Sequence, residues 1–570
     1  MKKLINRPED VLSEMIEGFL VLYPGLSRLS HHNVVLRSDA DTVRDRQVAI
    51  ISGGGSGHEP AHAGFVGPGM LSAAVAGEVF TSPSTDSVLA AIRAVTGRLG
   101  VLLIVKNYTG DRLNFGLAAE MARAEGFLVE TVTVSDDVAL TQSHAHAGRR
   151  GLAGTVLIHK IAGAAAAAGR DLPQVASIAQ VAAGDLATMG IALSAGTSLH
   201  LDRPSFTLED EVELGLGIHG EPGIRRIPMA QADVLTDELL RQILSNLRLS
   251  SGDRVAVLIN NLGATTGMEL AIVARRALAV LASRSLVVER LYAGTFLSSL
   301  EMAGVSISLL RLDDERLKWL DASTAAPAWP NVPRQSPASI EARTVDSADI
   351  TQPISAHNPP QTSFGRKAER AIRAACDALV KARDRLTEMD QAVGDGDLGH
   401  NLARAAATIE QLLPALPLDH PPDLLRELGV KLQSVLGGSS GPLYGVLFLK
   451  AGNSLEGSAA SDAKAWAMAL VEGCEALSDL GGARLGDCTM LDALIPFART
   501  FAEQVAAGVP VEDSLPLSLE AAEYGAARTS QMTARRGRSS YLGDRVIGHA
   551  DPGAAAVVIW LGATIGELNR

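Results

Sequence analysis

Three aspartates, Asp390, Asp395 and Asp397, fall within eight residues of one another, with Gly394 and Gly396 between them. Carboxylates packed this closely repel unless a cation compensates them. Their hard oxygens select a hard ion, and Mg²⁺ takes a few carboxylates together with phosphate oxygens. The one-three-five spacing of an EF-hand is not met. The plainer alternative is a solvated turn with a helix-capping aspartate. A second position with chemistry is His219, set in Gly215-Leu216-Gly217-Ile218-His219-Gly220-Glu221-Pro222-Gly223. A histidine between glycines has backbone freedom and little steric cover. Neutral imidazole is a nucleophile, and its ordinary pKa of about 6.5 keeps it mostly unprotonated near neutrality. A structural turn histidine is the other reading of the same residues.

Further polar loops punctuate the chain. Gly53-Gly54-Gly55-Ser56-Gly57-His58-Glu59-Pro60 follows a short apolar run. It is neither a P-loop nor a GxGxxG fingerprint, because no Gly-Lys-Ser/Thr follows and Glu59-Pro60 interrupts the pattern. Its glycines let backbone amides approach a small polar ligand, and His58 adds a group that titrates near neutrality. Lys106 and Asp111 flank the turn after a second apolar run. By themselves they read as a surface salt bridge; at neighbouring strand ends they would face His58. Towards the other end, Gly437-Gly438-Ser439-Ser440-Gly441 and Gly486-Asp487-Cys488-Thr489-Met490 each open a helical pattern. Such openings offer amide and hydroxyl donors to phosphate. The basic cluster Arg535-Arg536-Gly537-Arg538 and the stretch Asp551-Pro552-Gly553-Ala554 follow. A metal site, phosphate donors and a cationic clamp are what phosphoryl transfer requires, since the protein mainly positions groups and neutralises charge.

The elements that must position these residues change character along the chain. Strand signals at 48–52, 101–105, 128–134 and 254–259 alternate with helical patterns, which predicts an α/β fold with a mainly parallel sheet. Ligands in such folds gather at the carboxyl ends of strands, where both polar loops lie. The alanine run 162–168 is predicted as a closely packed helix. From 326 to 364 prolines recur among Ala, Ser, Thr and Gln, a linker composition. Beyond it, helical patterns at 366–390, 401–413, 423–434, 462–480, 491–507 and 517–529 predict an all-α domain. The expected division is 1–325, a linker over 326–364, and 365–570.

At 570 residues the chain is too long for one core. Its net charge of −13 argues against a nucleic-acid or anionic-membrane surface. Cys376, Cys474 and Cys488 form no CxxC pair, which suits a reducing compartment. No apolar run approaches the length of a membrane span, and the first residues lack a signal-peptide stretch, so a cytoplasmic protein is expected.

Taken together, segments 53–60, 107–115, 148–163, 217–223, 394–397, 437–445 and 541–554 resemble the ATP-dependent dihydroxyacetone kinases of the single-chain, two-domain type. The resemblance covers nearly everything except the linker. It implies an N-terminal α/β half of two subdomains that binds the ketose, and a C-terminal all-α helical barrel that binds Mg²⁺ and ATP. By that resemblance His219 carries the substrate carbonyl as a hemiaminal, and His58 and Asp111 are the acid/base pair. Gly55, Ser56, Gly57 and Lys106 are then substrate contacts. Asp390, Asp395 and Asp397 are the metal ligands. Leu398, Gly399, His400, Asn401, Ser439, Ser440, Gly486, Thr489, Met490, Arg538, Asp551, Pro552 and Gly553 are nucleotide contacts. A homodimer is implied as well. The stretch 141–147 and the sequence Leu398-Gly399-His400 depart from the family pattern, which leaves the choice between dihydroxyacetone and four-carbon ketoses such as erythrulose open. Cyclisation of FAD on the same metal-nucleotide site and a non-catalytic ketose-binding regulator are the alternatives.

Overall fold

The structure is a computed structural model that describes residues 3–140, 148–197, 207–221, 223–331, 360–394, 396–436, 440–536, 539 and 546–569. The chain divides into two compact units, Met1–Val345 and Asp346–Arg570. Most of the proline-rich stretch, 332–359, lies outside the described residues.

The first unit holds two six-stranded sheets. The strands of the first sheet are β1 (Leu26–Arg28), β2 (Val34–Arg37), β3 (Ala49–Ser56), β4 (Ala73–Val79), β5 (Val101–Lys106) and β6 (Val129–Val134). Their spatial order is β1-β2-β4-β3-β5-β6, and β4, β3, β5 and β6 run parallel. Every residue of β3 and β5 is buried, as the uninterrupted apolar runs require of strands covered on both faces. Alternation along β3 divides the two cores. Ala49 and Ile51 pack under helices Thr85–Val95 and Thr109–Ala124, while Ile50 faces helices Thr155–Ala167 and Leu172–Gly184.

The second sheet contains β7 (Leu186–Ala192), β8 (Glu211–Leu214), β9 (Arg225–Pro228), β10 (Arg254–Asn261), β11 (Val287–Gly294) and β12 (Gly304–Leu312), in the order β11-β10-β12-β7-β8-β9. Only β10 and β11 pair in parallel; the other pairs are antiparallel. The expected mainly parallel arrangement therefore holds for the first sheet and fails for the second. Of its strands only β10 is among those expected, and β12 and β7, buried on both faces, carry no mark of pairing direction. The alanine-rich helix Thr155–Ala167 is buried along almost its whole length and shares one core with both sheets.

The second unit is helical, with no strand among its described residues. The predicted helix 366–390 is in fact two, Ser363–Lys381 and Arg383–Val393, which meet at Ala382. Its strong amphipathic pattern continues across the break, so periodicity alone could not reveal it. Helices Arg383–Val393, Leu398–Leu412, Ser440–Ser454, Leu491–Ala506 and Pro552–Leu568 contribute to one core around Leu386, Leu402, Leu447, Phe497 and Val557. Asp390 thus belongs to the last turn of a helix rather than to the loop, and Asp397 precedes the next helix. No helix among the described residues is long and apolar enough to cross a membrane.

Candidate functional site

In the first unit, the crossover direction of the parallel strands reverses at β3, whose carboxyl end carries Gly53-Gly54-Gly55-Ser56. Lys106 ends the neighbouring β5, and Asp111 lies in the first turn of the helix Thr109–Ala124 that follows. The two form a buried ion pair at 3.4 Å, not the surface salt bridge expected of them by themselves. Lys106 Nζ also donates to the Gly53 carbonyl at 3.2 Å. A Cβ at position 54 would stand 2.3 Å from that ammonium group, so a larger residue there would displace it from this position. Ser82 Oγ donates to the second Asp111 oxygen.

His58 is buried and donates from Nδ1 to the Ser298 carbonyl oxygen at 2.8 Å. A carbonyl only accepts, so the lone pair of His58 resides on Nε2, which has no hydrogen-bond partner. Burial, then the charges of His219 and Lys106, hold this histidine well below its ordinary pKa. It is therefore a neutral ring with a bare lone pair, the form a general base needs. The His219 ring lies with its centroid 4.9 Å from that of His58, and Phe80 and Tyr108 stand against it at 5.4 and 4.8 Å. His219 Nδ1 meets Glu221 Oε1 at 2.8 Å. The structure thus brings His58, His219, Lys106 and Asp111 to one end of the first sheet, around residues of both sheets.

The remaining expected contacts there are less open. Gly55 packs on the Phe80–Thr81 backbone, Ser56 Oγ donates to the Gly77 carbonyl at 2.8 Å, and the Gly57 amide donates to Glu59 at 3.0 Å. Behind Lys106 runs a chain that sequence reading missed. The ammonium donates to His62 Nε2 at 3.1 Å, so His62 Nδ1 donates to His159 Nε2 at 2.9 Å. Burial and then Lys106 push His159 down to about 3, and His62 is also held well below its ordinary value.

In the second unit, Asp390 Oδ2 accepts from the Leu398 amide at 3.1 Å, which ties the helix carrying Asp390 to the start of the next. Asp551 caps helix Pro552–Leu568 by accepting from the Ala554 amide at 2.7 Å. Burial, and after it the charges of Asp492 and Asp390, push Asp551 up to about 7. A cation would offset this crowding of carboxylates, and their hard oxygens suit Mg²⁺. Asp395, Ser439 and Arg538 lie outside the described residues, and among the described ones no set of three metal-ligating side chains is assembled.

Asp492, which sequence reading missed, is buried and organises the neighbouring loop by accepting from the Gly486 amide at 2.6 Å and the Thr489 amide at 2.8 Å. The signal was present, because Thr489-Met490-Leu491-Asp492 has capping-box spacing. Met490 faces Gly553 across the two loops, and Pro552 is buried beside it. Ser440 begins helix Ser440–Ser454, and Gly399 packs against the Arg383 carbonyl. His400 turns back to Thr387 at 3.2 Å, and Asn401 accepts from Arg404 at 3.1 Å, so these two side chains point into their own surface. A cavity of about 720 Å³ adjoins the Gly486 loop, lined by Gly482, Arg484, Leu485, Ile495 and Arg536 among others.

Two family models match the chain: the Dak1 domain over residues 17–328 and the DAK2 domain over residues 392–565. A Solanum lycopersicum protein provisionally assigned as a 3,4-dihydroxy-2-butanone kinase is 47% identical, over 98% of this chain and 97% of its own. The human protein named triokinase/FMN cyclase is 43% identical, over 100% of this chain and 99% of its own. The crystal structure of the dihydroxyacetone kinase from C. freundii in complex with AMP-PNP and Mg²⁺ superposes with a TM-score of 0.63 at 36% identity, covering 99% of both chains.

Proposed function

The chain belongs to the dihydroxyacetone kinase family, and from that premise we propose that it transfers the terminal phosphoryl group of ATP to a terminal hydroxyl of dihydroxyacetone or erythrulose, held as a hemiaminal on His219. It is a kinase that uses ATP and Mg²⁺. The observation that carries the finer reading is the pairing of two histidine rings 4.9 Å apart at the strand ends, beside the buried Lys106–Asp111 pair.

In this reading His219 binds the carbonyl carbon, and the bare Nε2 of His58 accepts the proton of the hydroxyl that attacks phosphorus. Asp111 and Lys106 orient that hydroxyl from the neighbouring strand end. Asp390, Asp395 and Asp397 would hold Mg²⁺, which when bound neutralises charge on the nucleotide phosphates. The Ser439–Ser440 and Gly486–Met490 loops, Leu398–Asn401, Arg538 and Asp551–Gly553 would position the nucleotide, and the cavity beside the Gly486 loop has room for its base. The working form in this reading is a cytoplasmic homodimer bounded by domains 1–325 and 365–570, which sedimentation of the purified chain tests.

A coupled ADP-release assay across dihydroxyacetone, glyceraldehyde and both erythrulose enantiomers tests the substrate class. Failure with every ketose in the presence of Mg²⁺ and ATP would sink it in favour of a ketose-binding regulator. The cyclase part of the human relative's name favours a second activity, cyclisation of a flavin nucleotide on the same metal-nucleotide site. That reaction captures no ketone, so His219→Ala should abolish ketose phosphorylation and spare it.

A further inference from the structure

We propose that Glu221 is the positioning residue of His219, fixing the proton on Nδ1 and leaving Nε2 as the one nitrogen of the ring with a free lone pair. This rests on the reading of His219 as the ketose nucleophile and adds the group that makes it one. Both carboxylate oxygens are committed to the same residue. Oε1 meets the ring Nδ1 at 2.8 Å, and Oε2 accepts from the His219 backbone amide at 3.0 Å. An ionised carboxylate can only accept, so the shared proton belongs to Nδ1. Burial pushes the Glu221 carboxyl up, but the hydrogen bonds it accepts, that of the His219 ring first, outweigh it and bring Glu221 down to about 2.

The surroundings reserve this space for Glu221. A Cβ on Gly217 would stand 2.0 Å from Glu221 Oε2 and 2.7 Å from Arg150 Nη1. Arg150 in turn donates to Asp137 and to the Gly215 carbonyl, both at 2.7 Å, which holds the strand end that carries the loop. Tyr108 and Phe80 flank the His219 ring edge-on and oppose its rotation. In the covalent step the Nε2 lone pair forms the N–C bond and the carbonyl π pair moves onto oxygen, which takes a proton from solvent. The imidazolium so formed passes its Nδ1 proton to Glu221, which returns it to solvent, and the sum is neutral. A carboxylate at Nδ1 stabilises that transient cation as well as choosing the tautomer.

The test is nitrogen NMR of the full-length protein labelled with ¹⁵N-histidine, without ketose, with His219 assigned by the signal lost in His219→Gln. The expected spectrum shows Nδ1 protonated and Nε2 bare in the native protein. In Glu221→Ala the tautomers should mix, and ketose affinity measured by calorimetry should fall about tenfold to a hundredfold, while AMP-PNP affinity stays put. Glu221→Gln keeps one accepting oxygen and should recover part of the loss. A native His219 protonated on Nε2 would overturn the proposal, and so would a Glu221→Ala protein with unchanged tautomer and affinity. Should Glu221→Ala fail to fold, the native spectrum alone decides. The parent reading fails separately: it falls if His219→Ala binds ketose as tightly as the native chain, whatever the tautomer.

Discussion

His58 and His219 stand with their rings 4.9 Å apart and inclined at 64°, one at the end of β3 in the first sheet and the other in the loop after β8 in the second. Each has its Nδ1 engaged, by the Ser298 carbonyl and by Glu221. Two imidazoles this close cannot both be charged cheaply, and burial holds His58 neutral. The two sheets thus supply one histidine each, and the pair holds together only while both sheets share their common core.

The buried histidines make that core sensitive to acid. His159 is pushed down to about 3 in the folded protein, whereas an unfolded histidine titrates near 6.5. Between those values the unfolded chain binds a proton that the folded one refuses. Stability contributed by neutral His159 is therefore present above pH about 6.5 and lost as pH falls. By pH 5 the loss is about 2 kcal/mol. Urea unfolding followed at neutral pH and at pH 5 should show His159→Gln losing less than the native chain over that interval. An equal loss in both would refute the assignment.

The Lys106–Asp111 pair gives a second prediction. Both groups are buried at 3.4 Å, and removing one partner strands the other's charge. Lys106→Met should cost about 3–5 kcal/mol of stability. Adding Asp111→Asn should restore much of it, because no lone charge then remains. A double variant less stable than Lys106→Met would show that the pairing is not what stabilises this strand end.

Strands β3, β5 and β10 are legible as short apolar runs bounded by turn residues, and β6 as a β-branched stretch. Helices Leu398–Leu412, Pro421–Val435, Ala463–Gly481, Leu491–Ala506 and Val511–Arg528 are legible by period, whereas Pro552–Leu568, apolar around most of its circumference, carries no such period. Direction was not legible in the second sheet, since β7 and β12 are buried on both faces and carry no mark of pairing sense. The glycine loops and the histidines pointed to a site, but Lys106 and Asp111 read as surface residues because a sequence shows charge without showing burial. Glu221 lies in the loop 215–223 but nothing local marks it as the partner of His219, and the His62–His159 chain has no local pattern at all. Those partners arise from tertiary packing, which brings together residues that lie far apart in sequence.

Asp492 accepts two amide protons from the Gly486–Thr489 loop, so its replacement by asparagine should be felt by the nucleotide. One of those amides would then face an NH₂ group. Asp492→Asn should weaken AMP-PNP binding about tenfold or more, with ketose affinity unchanged. Isothermal titration with each ligand checks this, and unaltered AMP-PNP affinity would mean the loop does not touch the nucleotide.

The aspartates should divide the chemistry between the units. Asp390→Ala, Asp395→Ala or Asp397→Ala should cut turnover roughly a hundredfold to a thousandfold and weaken Mg²⁺-dependent binding of AMP-PNP. The groups proposed to bind the ketose all belong to the first unit, so calorimetric ketose affinity should stay the same. Loss of ketose binding in a folded Asp397→Ala protein would contradict the assignment of ketose and nucleotide to separate units.

The last prediction concerns glycerol, which has the length and terminal hydroxyls of dihydroxyacetone but no carbonyl. A pocket that recognises only by hydrogen bonds discriminates poorly against an analogue that fills it and exchanges one polar group. Covalent capture of the proposed kind would discriminate by reactivity instead, because an imidazole nitrogen can add to a carbonyl carbon and has nothing to add to in a polyol. Capture would also pin the far hydroxyl beside His58 and Asp111, so a ligand that cannot be captured would lose both affinity and orientation. The native protein should therefore phosphorylate ketoses and leave glycerol essentially untouched in the ADP-release assay. His219→Ala should bind ketoses far more weakly and narrow the gap between ketose and glycerol. Crystals soaked with dihydroxyacetone should show continuous density from the His219 ring to the carbonyl carbon. A ketose resting at van der Waals distance in an active crystal would show that selectivity has another origin, the shape of the Phe80 and Tyr108 walls being the first place to look.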